Sequence, residues 1–186
     1  MDISRSLRSE NIAEYILYLW QLEDLLRGLQ FSPEAVYSQF VQPRADLSSD
    51  DQEALLRWYC EYGDLLCGEG KRERGHLSHT LHLIEELQGF HLRLLDLPVG
   101  ARYKILWGNL IEVLGDLRGR EGFDDSGIGD IELCFRALYG GMLMRMKGQT
   151  SSMVDVLEYI SPAIAELCRV YRMVERGEVD LFGGAD

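Results

Sequence analysis

Apolar residues recur along this chain at three- and four-residue steps in almost every segment, and no stretch alternates apolar with polar positions. Over 7–29, Ile12, Ile16, Leu19, Glu23 and Leu26 share one helical face, and Gly28 loosens the end. Ser32 followed by Pro33 starts a short helix to about Val41, because the hydroxyl caps free amides and proline suits the first turn; Pro43 stops it. Ser49 with Gln52 resembles a capping box and opens a helix through Ala54, Leu55, Trp58, Tyr59, Tyr62, Leu65 and Leu66, closed by Gly68 and Gly70.

A fourth helix over 75–97 carries Leu77, Leu81, Ile84, Leu87, His91, Leu94 and Leu95 on one face and ends at Pro98. A fifth, over 101–120, has a broad apolar face from Ile105 to Leu117, with Gly108 and Gly115 either weakening it or permitting close packing. The glycine- and aspartate-rich stretch 119–129 is a loop. Beyond it, Ile131, Cys134, Phe135, Leu138, Met142 and Met146 define a sixth helix, in which Gly140 and Gly141 admit a neighbour. Thr150, Ser151 and Ser152 offer caps for a last segment over 153–176, where Pro162 predicts a kink or break, and 177–186 reads as a frayed acidic tail. These elements predict an all-α fold, an irregular bundle of about six to seven helices, as a single domain over 1–186 without internal repeat or linker.

Composition supports a folded chain, since 46% hydrophobic residues supply a core. Charge narrows the partners. Asp and Glu number 31 against 19 Lys and Arg, a formal net charge of -12 whose field repels phosphate backbones, so neither nucleic acid nor an anionic membrane is expected. The cluster of Lys71, Arg72 and Arg74, broken by Glu73, reads as a solvated loop. The longest apolar run, over 15–20, is too short to cross a bilayer, which needs roughly 20 residues. With no secretory pattern after Met1 and no zinc or C-x-x-C spacing among Cys60, Cys67, Cys134 and Cys168, a cytoplasmic protein with reduced thiols is expected.

Three polar features on otherwise apolar patterns are candidates for chemistry. His76, His79 and His82 form a three-residue ladder with Glu85 and Glu86 beyond it, the only metal-like spacing. A ladder of that step drifts by about 60° each time, so all three cannot face one ion. His91 falls on the apolar stripe, where a buried imidazole needs a partner; it reads first as a satisfied core histidine and second as a base. Glu23 sits inward on the first helix, where an unpaired carboxylate is costly; Arg145, on the same side of the sixth helix as Leu138 and Met142, is its expected interhelical partner, as Arg136 is for Glu132 within that helix.

Two motifs fail. Gly68-Glu69-Gly70-Lys71 has Leu65 where a phosphate loop needs glycine, and Asp124, Asp125, Ser126, Gly127 and Asp130 lack the spacing of an EF-hand. No cofactor is implied.

Three stretches, residues 12–27 (IAEYILYLWQLEDLLR), Gly75-His76-Leu77 with 91–95 (HLRLL), and 131–145 (IELCFRALYGGMLMR), resemble a family of small, uncharacterised, all-helical bacterial proteins catalogued as a domain of unknown function. Length and helix order agree. The resemblance implies a helical fold in a cytoplasmic bacterial setting and no reaction.

The leading functional expectation is a non-enzymatic helical interaction or scaffold protein that self-associates as a homodimer, because the aromatic run 15–20 surrounds the first helix and no catalytic signature appears. A small-molecule-binding or hydrolytic bundle using His91 or His76 with Glu23 or Glu132 is the alternative, its ligand unread. A metal-dependent bundle is the third.

Overall fold

The computed structural model describes residue 8 and residues 10–120, 127–148 and 154–179. Seven α-helices follow one another in that part of the chain: α1 (Ile12–Gly28), α2 (Pro33–Val36), α3 (Ser49–Gly68), α4 (Ser78–Leu94), α5 (Ala101–Arg118), α6 (Asp130–Met146) and α7 (Val154–Glu175). A π-helical turn, Tyr37–Val41, continues α2, and a 3-10 turn, Pro98–Gly100, leads into α5. No strand occurs among the described residues, as the periodicity predicts. None of their helices is long and apolar enough to cross a membrane.

Local chemistry moves several boundaries. Arg8 and Glu10 are helical, but α1 begins afresh at Ile12 because Asn11 adopts an extended backbone and its side chain accepts from Ala13 N–H and Glu14 N–H. The cap of α3 is Ser48, one residue before the sequence expectation; its hydroxyl accepts from Asp51 N–H at 3.2 Å. Ser32 caps α2 as expected. Pro162 does not break α7. Both Pro162 and Glu158, whose carbonyl loses its amide partner, lie on the exposed side, where water can replace the missing bond. The caps expected at Thr150, Ser151 and Ser152, the loop residues Asp124 to Ser126 and most of the expected tail lie outside the described residues.

The core has two clusters, and α1 belongs to both. Ile12, Ile16 and Trp20 point into a large cluster with residues of α4 to α7, while Leu19, Leu22 and Leu26 meet Val36, Tyr62, Leu66 and Leu77 on the other side. A helix apolar almost all round is a central helix: Trp20 is buried, and Tyr15, Leu17 and Tyr18 are half-buried against the two clusters. On the far side, α5 packs most extensively against α7, and α6 packs on both α4 and α7. Gly141 makes the last contact possible: a Cβ there would stand 2.4 Å from Leu157 Cδ1.

Candidate functional site

Glu23 is fully buried between the two clusters, and the chain between α3 and α4 is folded onto it. Leu77 N–H and the Tyr62 hydroxyl donate to its Oε1 at 3.1 and 3.4 Å, and His76 Nδ1 lies 2.7 Å from its Oε2. Arg27, one turn along α1, brings a guanidinium nitrogen to 4.0 Å. Gly75, at φ +89°, turns the backbone so that His76 reaches the carboxylate and Leu77 enters the core before α4 begins. The imidazole of His76 lies flat on the Trp20 indole, centroids 3.8 Å apart, with Tyr139 edge-on to both rings. Its side chain remains 22% exposed.

Arg27 fastens the same loop from the other side. Its Nε and a terminal nitrogen donate to the Lys71 carbonyl at 3.1 and 3.0 Å, a further bond reaches the Gly75 carbonyl, and the second terminal nitrogen holds Asp24 at 2.7 Å. Asp24 in turn accepts from the Tyr139 hydroxyl at 2.5 Å. Burial first, and then that bond to Asp24, push the Tyr139 phenol well above its usual value, so it remains a donor. Glu69 accepts from both Ser78 N–H and Ser78 Oγ at 2.8 Å, securing the first turn of α4 and holding its own carboxyl below the usual range. Fixed by Glu23, Arg27 and Glu69, the 69–78 segment is clamped at three points.

A carboxylate that engages one imidazole nitrogen orients the other for proton transfer, which is the chemistry this pair could perform. Nucleophilic catalysis also needs a hydroxyl or thiol on that imidazole. Among the described residues none is hydrogen-bonded to His76.

The remaining sequence candidates lie elsewhere. His91 is buried in the large cluster, with Nδ1 2.6 Å from the Tyr103 hydroxyl and the ring 4.1 Å from Trp107. Burial pushes the Tyr103 phenol well above its usual value, so it keeps its proton and can donate to an unprotonated Nδ1. Desolvation pushes His91 below its usual value, with Asp130 opposing. The expected pairing of Glu23 with Arg145 does not form: Arg145 is exposed, and Glu23 takes its donors from α3, the 69–77 loop and its own helix. Glu132 pairs with Arg136 one turn on, at 2.7 Å.

His79 and His82 are exposed on α4, while His76 precedes that helix, so the ladder is split between loop and helix. No group of three His, Cys, Asp or Glu suited to a metal occurs among the described residues. Cys134 and Cys168 are buried, and burial pushes the Cys168 thiol up to about 12.

Trp20, Asp24, Arg27, Tyr62 and Tyr139 complete the Glu23 cluster and were not singled out as its members by periodicity. The local signal was Glu23-Asp24 followed at one turn by Arg27. Tyr62 and Tyr139 are distant in sequence and carried none.

Residues 1–178 match the sequence model of a family described as "Domain of unknown function (DUF4924)". The chain belongs to this family. The DUF4924 match takes in all seven helices and every residue of the Glu23 cluster, so clamp and bundle both fall within the family's domain. No curated protein and no solved structure matches the chain.

One feature of the surface stands apart from these polar clusters. The inward stripe of α5 is complete, with Tyr103, Trp107, Leu110, Leu114 and Leu117 all buried, yet its outer side carries Ile105 and Ile111, which are 68% and 56% exposed.

Proposed function

We propose that this DUF4924 chain is a non-enzymatic, cytoplasmic helical interaction protein that works by self-association. The observation that carries the reading is the outward exposure of Ile105 and Ile111 on a helix whose inner face is already filled. Two β-branched side chains in water on one helix are a standing cost that an interface removes, at roughly 25 cal/mol per Å2 of apolar surface covered. The polar candidates support the same reading by their use: Glu23 has four donors around it, His91 has Tyr103, and Glu132 has Arg136. The net charge of -12 disfavours nucleic acid and anionic membranes as the partner. Sedimentation velocity across a wide concentration range is the test: a weight-average mass that rises towards twice 21.3 kDa supports it, and a monomer at every concentration removes it.

The exposed edge of His76, held on a buried carboxylate and stacked on Trp20, favours a second reading, a small-molecule site at the loop clamp. Ligand-observed NMR with a mixed fragment library decides it. Hits lost in His76→Ala at unchanged melting temperature support a site there; hits that persist in that variant place the binding elsewhere.

A further inference from the structure

The outer face of α5 is symmetric about Gly108. Three residues away on either side stand Ile105 and Ile111, four away stand Lys104 and Glu112, and seven away stand Ala101 and Gly115. All seven positions are exposed. On a helix these steps depart from the direction of Gly108 by roughly 60°, 40° and 20°, to opposite sides for the two members of each pair, so the seven form one continuous strip.

Resting on the self-association reading, we propose that this strip is the interface, and that α5 pairs antiparallel with α5 of a second copy about a two-fold axis passing beside Gly108. Under that operation each residue meets the one at equal distance on the other side of Gly108. Gly108 then faces Gly108, and at matching heights along the pair each isoleucine comes level with an isoleucine, alanine with glycine at both ends, and each Lys104 with a Glu112 within reach of its long side chain. The charges choose the direction. A parallel pairing places Lys104 against Lys104 and Glu112 against Glu112, whereas the antiparallel one makes two opposite-charge pairs. The small residues set the spacing: among the described residues beyond the helix's own backbone, a Cβ built on Gly108 or Gly115 meets nothing within 4 Å, so both glycines leave room for a second backbone. A single helix pair lies at the low end of specific interfaces, at or below about 1,000 Å2, so dissociation in the micromolar range is expected.

Charge reversal and bulk test the pairing in the full chain by sedimentation velocity. K104E and E112K each set like charges opposite one another and are expected to weaken the dimer by about tenfold, and K104E/E112K together to restore it, because the pairs are again opposite. Gly108→Leu is expected to abolish the dimer while leaving the melting temperature equal or higher, since leucine is the better helix former at an exposed position. A dimer untouched by all four variants overturns the α5 interface while leaving self-association standing. Weakening by both reversals without rescue in the double variant overturns the antiparallel register. A parent chain that is monomeric throughout overturns the inference and the reading beneath it together.

Discussion

At Glu23 one carboxylate accepts from the backbone amide of Leu77 at the entry to α4 and also holds His76 against Trp20. Glu23→Ala removes the acceptor for Leu77 N–H, His76 and Tyr62 at once, and a buried donor left without a partner costs about 1–3 kcal/mol. The expected loss in urea unfolding is therefore about 3 kcal/mol. Glu23→Gln keeps one carbonyl oxygen for Leu77 and should lose distinctly less. Equal losses for the two would show that the side chain acts through its volume and not as an acceptor.

The inward position of Glu23 is legible in the sequence, because it falls between Leu19 and Leu26 on a helical face. Its partner is not. Arg145 has the right charge and helix face, but spacing within α6 carries no information about how that helix is rotated against α1, and the structure leaves Arg145 in solvent.

Where elements join, backbone conformation decides what the side chains are permitted to be. Gly100 ends the turn between α4 and α5, and a Cβ there would lie 1.9 Å from the Leu94 carbonyl oxygen. No rotamer relieves a clash with backbone, so Gly100→Ala should cost at least about 1–3 kcal/mol, seen as a lower midpoint in chemical denaturation. Gln30 presents the opposite case. It follows α1 at φ +52°, a conformation that carries a penalty of about 1–2 kcal/mol for residues with a Cβ, and its side chain is exposed.

Gln30→Gly should raise stability by about 1 kcal/mol, less the extra entropy of glycine in the unfolded chain; a loss of stability would mean that the Gln30 side chain makes a contact of consequence. Neither position stands out by periodicity. Helix existence and order were legible because buried stripes repeat every three or four residues, as in the 103, 107, 110, 114, 117 series of α5. The cap of α3 falls one residue early, at Ser48, because several polar residues stand in a row there and backbone angle alone selects which one turns back; the fresh start at Asn11 has no signal in the periodicity. Of the kink or break expected at Pro162 the break does not occur, because the freed Glu158 carbonyl lies on the exposed side, where water can replace the missing bond.

For the molecule as a whole, pH brings the buried histidine and the net charge into opposition. His91 is pushed below its usual value of 6.5 by burial, so the unfolded chain binds its proton first as pH falls. Its contribution is therefore complete above about pH 6.5, shrinks as pH drops below that, and is gone once pH passes the lowered folded value. His79 is shifted the same way. Glu166, held below its usual 4.5 by Arg169, adds a second decline only beneath that pH.

Against these, the self-repulsion of a chain with net charge -12 eases on acidification, so the slope of the parent protein mixes both effects. A double variant separates them. His91→Leu with Tyr103→Phe removes both members of the hydrogen-bonded pair, which is far milder than removing one, and should keep stability at pH 7.5 within about 1.5 kcal/mol. Because it leaves every carboxylate in place, the difference between parent and variant across pH 5 to 7 isolates His91. Urea unfolding at steps through that range should show the parent losing stability relative to the variant as pH falls. Parallel curves would mean that His91 keeps its ordinary affinity for protons in the fold, and that the core around Trp107 is wetter than its packing implies.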